Sequence, residues 1–191
     1  MKLSLIVAAL RAWAPTFARR VLVAKDFKPI PEAQHLPVPA AYVLPWQDDA
    51  DGANRSAGGY RQTVIDGFSV VLVIDNRAGE YDPVAADAVH TLRAEVWAAL
   101  LGWEPDPDYD PIEYRGGGIE YVDRARLYYR LDFVATTEIA LADTRHARDL
   151  AALPALTGID LALDAIDPAD PARQSPGPDG RIEGRADIDL T

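Results

Sequence analysis

The stretch Gln62–Ile74, QTVIDGFSVVLVI, decides the fold. Its even positions include Val64, Phe68, Val70, Leu72 and Ile74, while Val71 and Val73 fill the other face near its end. A strand that is apolar on both sides has to be covered on both sides, so the spacing predicts a central strand packed by a helix. That helix follows directly. After turn chemistry at Asp75-Asn76-Arg77-Ala78-Gly79, Asp82 stands as N-cap and Pro83 occupies the first helical position. Ala85, Ala88, Val89, Leu92, Val96 and Leu100 then form one stripe, and Gly102 sits where a C-terminal cap belongs.

Upstream, Leu3, Ile6, Val7, Leu10 and Phe17 recur at helical spacing, which predicts an amphipathic helix from residue 2 to about 14, ended by Pro15. The same apolar run superficially resembles a secretory leader. Ser4 and Arg11 interrupt it and no small-residue cleavage site follows, so a helix of the fold is expected instead. Short strands are expected at Arg20–Ala24 and Ala40–Leu44, separated by Pro29, Pro31, Pro37 and Pro39, with Pro45 ending the second. Residues 46–60, WQDDADGANRSAGGY, lack apolar periodicity and read as a long polar loop, mobile in the isolated protein.

Downstream, alternate prolines at 105, 107 and 111 forbid helix. Ile112-Glu113-Tyr114 and Ile119-Glu120-Tyr121 flank Arg115-Gly116-Gly117-Gly118, which suggests a hairpin or a glycine-loosened bend. From Arg124 to Ala135, Leu127, Tyr129, Leu131 and Phe133 alternate with Arg126, Tyr128, Arg130 and Asp132, the pattern of a half-buried antiparallel strand with a polar outer face. A short helix over 143–153 and a strand around Ile159–Leu163 complete the elements. The expected fold is α/β (α+β): a mainly antiparallel or mixed sheet flanked by an N-terminal helix and one long helix, with long loops. The expected domain spans 1–166. Residues 167–191 form an acidic, Pro/Gly-rich C-terminal arm that orders only against a partner, since it has too little apolar surface to offset the entropy of ordering.

Composition narrows the function. The 191 residues carry 19 basic and 30 acidic side chains, a net charge of −11, which argues against a general nucleic-acid binder. The absence of Cys excludes disulfides, thiolate zinc sites and thiol nucleophiles. No apolar run approaches the roughly 18–20 residues needed to cross a bilayer. Charge is unevenly spread: the first 30 residues hold six basic side chains against one acid, leaving 13 basic and 29 acidic residues for the rest. Such asymmetry is either a solvated helix face or a contact surface for an acidic neighbour.

The search for chemistry is negative. None of the phosphate-loop, dinucleotide, zinc-protease or nucleophile-elbow signatures occurs. His35, His90 and His146 are isolated, and His90 borders the apolar stripe of the long helix. Asp106, Asp108 and Asp110 copy the first ligand positions of a calcium loop, but Pro111 stands where its glycine is needed and Gly117 where its closing acid is needed. No metal or cofactor is expected, and nothing selects a catalytic pair from the 30 acids.

Several ordered blocks carry a likeness. Leu36-Pro37-Val38-Pro39-Ala40-Ala41-Tyr42-Val43-Leu44-Pro45, Gly59-Tyr60-Arg61-Gln62-Thr63-Val64 and Leu100-Leu101-Gly102-Trp103-Glu104-Pro105 are three of them. Pro111-Ile112-Glu113-Tyr114-Arg115-Gly116-Gly117 and Asp123-Arg124-Ala125-Arg126-Leu127-Tyr128-Tyr129 are two more. Together they resemble tail terminator proteins of long-tailed, Mu-related and lambda-like bacteriophages, over roughly residues 1–168. The resemblance implies an α/β subunit of a homohexameric ring that caps the tail tube, stops tail polymerisation and meets the head-completion proteins. It implies a virion protein at the head-proximal end of the tail, made in the host cytoplasm, without enzyme activity, cofactor or membrane. DNA would pass the lumen without specific binding. A different head–tail connector and a small carboxylate-based enzyme are the alternatives.

Under that reading, the expected contact residues fall into three groups. Arg11, Arg19 and Arg20 supply a basic N-terminal patch. Asp48, Asp49, Asp51, Arg55 and Arg61, with Asp106, Asp108, Asp110 and Arg115, lie in or beside the two segments expected to form ring faces or the lumen wall, 46–60 and 104–118. Arg124, Arg126, Arg130 and Asp132 form the polar face of the late strand and are expected to meet a neighbouring subunit.

Overall fold

In the computed structural model, residues 1–24, 37–52, 59–77, 83–164, 180, 182 and 184–190 are described. The chain divides into two compact units, Met1–Thr144 and Arg145–Thr191. The fold is α+β.

The first unit contains helices α1 (Leu3–Trp13) and α2 (Pro83–Leu100) and strands β1 (Val21–Val23), β2 (Ala40–Ala50), β3 (Arg61–Asp75), β4 (Glu113–Val122) and β5 (Arg126–Ala140). The strands form one sheet in the order β1-β2-β3-β5-β4. Only the β1–β2 pair is parallel; β2–β3, β3–β5 and β4–β5 are antiparallel. The expected central strand is therefore central, and its register with β5 runs unbroken from Arg61↔Ala140 to Asp75↔Arg126.

Alternation along β3 divides the core. Phe68, Val70, Leu72 and Ile74 join Ala41, Val43, Leu127, Leu131 and Phe133 on one face, where α1 contributes Ile6, Val7 and Leu10 and α2 contributes Val89, Leu92, Val96 and Leu100. The spacing of three and four in both helices puts these side chains on a single stripe. Phe68 and Phe133 are cross-strand partners and their rings stack at 5.3 Å. On the opposite face Val71 and Val73 join Ala40, Tyr42, Leu44 and Tyr128 in a smaller buried cluster. Gly102, with φ +76°, follows α2 in the left-handed conformation that favours glycine after a helix. The expected N-cap, Asp82, lies outside the described residues.

Four expectations are corrected. Pro45 does not end β2: the strand continues to Ala50, so Trp46–Ala50 is strand and not loop. This is sterically allowed because β1 pairs only with residues 41–43, leaving the outer edge of β2 open at Pro45. Second, residues 113–122 form one strand, neither a hairpin nor a break, with irregularities between Tyr114 and Gly116 and between Ile119 and Tyr121 absorbing the glycine run. Third, the outer face of β5 is not uniformly polar. Tyr128 is 1% exposed and Asp132 8%, because in a five-stranded sheet the middle of that face is core as well. Fourth, the region after 167 is not wholly without structure of its own, as described below.

Gly67 has a steric reason. Pro45 pairs with Phe68 and Asp48 with Asp66, so Trp46 and Gln47 together oppose Gly67 in a bulge. A Cβ at position 67 would lie 2.6 Å from the Gln47 carbonyl oxygen and 2.7 Å from the Trp46 ring.

The second unit contains α3 (Arg145–Ala151) and a two-stranded antiparallel ribbon, β6 (Gly158–Leu163) and β7 (Gly184–Asp189). Thus residues 184–189, expected to be part of an unstructured arm, pair with 158–163. Every residue of β6 is exposed, as is β7 from Arg185 onward.

Candidate assembly surfaces

The expected contact residues separate into those spent within the subunit and those left outward. Arg11 donates from Nε and Nη2 to the Val21 carbonyl at 3.1 and 2.6 Å, tying α1 to β1. Arg20 donates to the Pro39 and Thr16 carbonyls, both at 2.7 Å, holding the turn after α1 against the start of β2. Arg19, by contrast, is exposed and makes no hydrogen bond or ion pair among the described residues. The basic N-terminal patch is therefore mostly a structural clamp with one outward cation.

On β5, Arg130 bridges Glu120 at 3.2 Å and Asp132 at 3.1 Å, and the buried Asp132 also accepts the Ser69 hydroxyl at 2.6 Å. Burying that carboxylate is tolerable because it accepts hydrogen bonds from a cation and a hydroxyl. Arg126 is half-buried and its backbone N–H bonds the Asp123 carboxylate at 2.7 Å. Arg124 lies outside the strand, in the β4–β5 turn, exposed and without a bond among the described residues.

Asp48 and Asp49 are exposed on β2, and Asp51 follows it with its carbonyl accepting from Gln62 at 2.7 Å. Arg61 pairs with Glu138 on the neighbouring strand, which holds the guanidinium above its ordinary pKa through the hydrogen bond and the charge. Arg55 lies outside the described residues. Arg115 is loosely paired with Glu113 at 3.7 Å and borders a cleft of about 350 Å³ with Trp46, Gln47, Asp49, Ile65 and Val134. Among the described residues its lining carries one carboxylate, Asp49.

The 104–112 segment is fastened by backbone and side chain. Tyr109 bridges Thr137, Thr137 Oγ1 donates to the Asp108 carbonyl at 2.6 Å, and Asp110 N–H bonds the Thr136 carbonyl at 2.8 Å. The Tyr109 hydroxyl donates to Asp66 at 2.9 Å, and the Met1 amino group pairs with the same carboxylate. Partial burial, then the Asp66 hydrogen bond and charge, push the Tyr109 phenol up to about 12. The side chains of Asp106 and Asp108 add to this negative field; Asp106 lies 4.0 Å from Lys2. Among the described residues, no group of three or more His, Asp and Glu could hold a metal ion, and no helix is long and apolar enough to cross a membrane.

Sequence reasoning missed the outward apolar residues. Trp13 is 72% exposed at the end of α1. Ile119, Tyr121 and Val122 are exposed on β4, which among the described residues pairs only with β5, its other edge being open there. Leu161 and Leu163 stand out from the ribbon. Their alternation was legible; their lack of cover was not.

Among the described residues, the sheet unit has an unpaired edge with exposed apolar side chains at β4 and the ribbon buries little, features of proteins that assemble with others. Residues 1–144 match the family described as Phage tail terminator protein, and the chain belongs to that family. It is a structural protein of a phage-type tail and a component of a virion. The match ends at the boundary of the first unit, short of the 168 expected from the sequence blocks. No curated protein matches the chain. Among solved structures, it is similar to a chain of the "Virion of native gene transfer agent (GTA) particle". The identity is 19%, the match covers 70% of this chain and 92% of that one, and the TM-score is 0.43.

Proposed function

We propose that the chain is the tail terminator itself: six copies close head-to-tail into a ring that caps the tail tube and stops its polymerisation. The opposite rim then receives the head-completion proteins. The family membership of residues 1–144 carries this reading. Physical features support it. A head-to-tail ring needs two different patches per subunit, and this chain offers dissimilar ones in its exposed cation Arg19, its open β4 edge and its acidic surface. A net charge of −11 suits a bore through which packaged DNA slides, since like charge prevents phosphates from sticking. In this reading segments 46–60 and 104–118 form the ring faces or lumen wall, and the bonds of Tyr109 and Thr137 support a fixed position for the second. The protein acts by assembly, without catalysis or cofactor.

Two measurements test the reading. Solution mass across concentration, with and without tube protein, is expected to give a six-copy ring, stabilised by the tube. Lysates lacking the protein are expected to contain overlong tubes by electron microscopy. Normal tails beside unjoined heads would reassign the chain to head completion, and a monomer under all conditions would overturn the ring.

A further inference from the structure

The ribbon β6–β7 has two unlike faces. Its register pairs Ile159 with Ile188 and Leu161 with Ala186, with Leu163 beyond, so these side chains share one face. Asp160 and Asp187 are also paired, on the other face, with Arg185 as the cation of that side. The apolar face is bare: Leu161 is 53% exposed and Leu163 62%. Two like charges directly opposite each other weaken the pair further. A two-stranded ribbon with an uncovered apolar face is marginal in water, so it needs a partner that covers one face and tolerates acid on the other.

The open edge of β4 has the same two-sidedness. Ile119 pairs with Tyr129 and Val122 with Leu127, which places both on the helix-covered face of the sheet, at its margin. Ile119 is 65% exposed there. On the other face the same margin carries Arg115, half-exposed and loosely held by Glu113, while Arg130 on β5 is engaged by Glu120 and Asp132. Arg124, exposed in the turn that follows β4, has no partner among the described residues. β1, the opposite margin, offers less: it is three residues long and its Val21 carbonyl already accepts Arg11.

We infer that the β6–β7 ribbon of one subunit adds edge-to-edge to β4 of a second copy of this chain. This inference rests on the ring proposed above. In that arrangement Ile159, Leu161 and Leu163 continue the apolar margin at Ile119 and Val122. Asp160 and Asp187 continue the face that carries Arg115, with Arg124 in the turn beside it. Strand addition satisfies the open edge of β4, and the two-faced match fixes which way up the ribbon lies, because inverting it sets acid on the apolar margin. The ribbon lies beyond the residues matched to the family.

The chain has no native cysteine, which allows a clean test. Full-length chains carrying Ile119→Cys are mixed with size-tagged chains carrying a single cysteine at 159, 161 or 163 on β6, or at 186 or 188 on β7. Adjacent strands bring same-face Cβ atoms to about 4.5–5.5 Å, close to disulfide reach, whereas opposite-face positions are out of reach. Oxidation is expected to link the two chains for at least one same-face position and not for Asp160→Cys or Asp187→Cys. Arg115→Glu with Arg124→Glu is expected to lower the yield several-fold at low salt, with the loss fading as salt rises. A six-copy mass with no same-face link overturns the ribbon contact and leaves the ring standing. A monomer overturns both. A link formed within single chains of the Ile119→Cys/Leu161→Cys variant at high dilution overturns the contact between copies.

Discussion

β3–β5 and β6–β7 are both antiparallel pairs of alternating strands, yet they differ in everything that makes a strand pair stable. The first runs in register from Arg61 to Asp75, with its middle buried on both faces between two clusters. The second pairs six residues of each strand with almost no burial at all. Backbone hydrogen bonding is the same in kind, and its net worth is modest in both, since water competes for the same groups. What separates them is cover. The central pair owes its stability to α1, α2 and the stacked Phe68 and Phe133. The ribbon carries a comparable pattern with nothing supplied to complete it.

The largest effect expected from this contrast is a pair of truncations. Phe68→Ala should cost about 3–5 kcal/mol of unfolding free energy, the range for emptying a buried aromatic site. Leu161→Ala should change the unfolding of the isolated subunit by less than about 0.5 kcal/mol, as for surface positions. Denaturant titration of both variants below the assembly concentration checks this; equal losses would erase the distinction.

Gly67→Ala comes next. The added methyl meets a backbone carbonyl, which cannot rotate away, so a loss of about 1–3 kcal/mol is expected, with Trp46 displaced. Urea unfolding monitored by tryptophan emission reads both. No comparable sensitivity is expected at Gly118, where a Cβ meets nothing within 4 Å.

A smaller effect is expected at high pH. The Tyr109 phenol is raised to about 12 in the folded protein against 10.0 as its ordinary value. A group raised in the folded state supports stability below its unfolded pKa and loses that support as pH climbs through the folded one. Melting temperature should therefore fall between pH 10 and 12, and Tyr109→Phe should flatten part of that slope. Burial raises Tyr114 and Tyr128 in the same direction, so a residual slope should remain.

The smallest effect is expected at Asp75, where the hydrogen bond from Arg77 lowers the carboxyl to about 2 at a partly exposed site. Arg77→Ala should return that pKa towards 3.8 in an NMR titration while leaving the melting temperature at pH 7 unchanged. The sign is opposite to that of Tyr109: support held above the unfolded pKa is lost as pH falls through 2.

The elements legible from sequence are those whose signal is local. The apolar stripe of α2 and the two-sided run of β3 each state their own environment, and both stand as read. α1 does so too, ending at Trp13 before Pro15. What escaped depends on partners distant in sequence. Pro45 fits in a strand only because β1 is too short to reach it. Gly116-Gly117-Gly118 stays in β4 because β5 supplies the register. Tyr128 looks like a surface residue until the cluster around Val71 and Val73 forms over it. Among candidate contact residues, sequence gave charge without direction. Arg11, Arg20, Arg130 and Asp132 are engaged inside the subunit, whereas Arg19 and Arg124 point outward, and no local pattern distinguishes the two sets.

The Arg11 clamp has a consequence for growth. Runaway sheet polymerisation requires two receptive margins on every molecule, so that each arrival offers a fresh template. Here the guanidinium occupies the Val21 carbonyl on the three-residue β1, so among the described residues β1 is a poorer template than the ten-residue β4. Growth through β1 is therefore disfavoured relative to β4, which gives any sheet-edge assembly of this tail terminator family member a preferred direction.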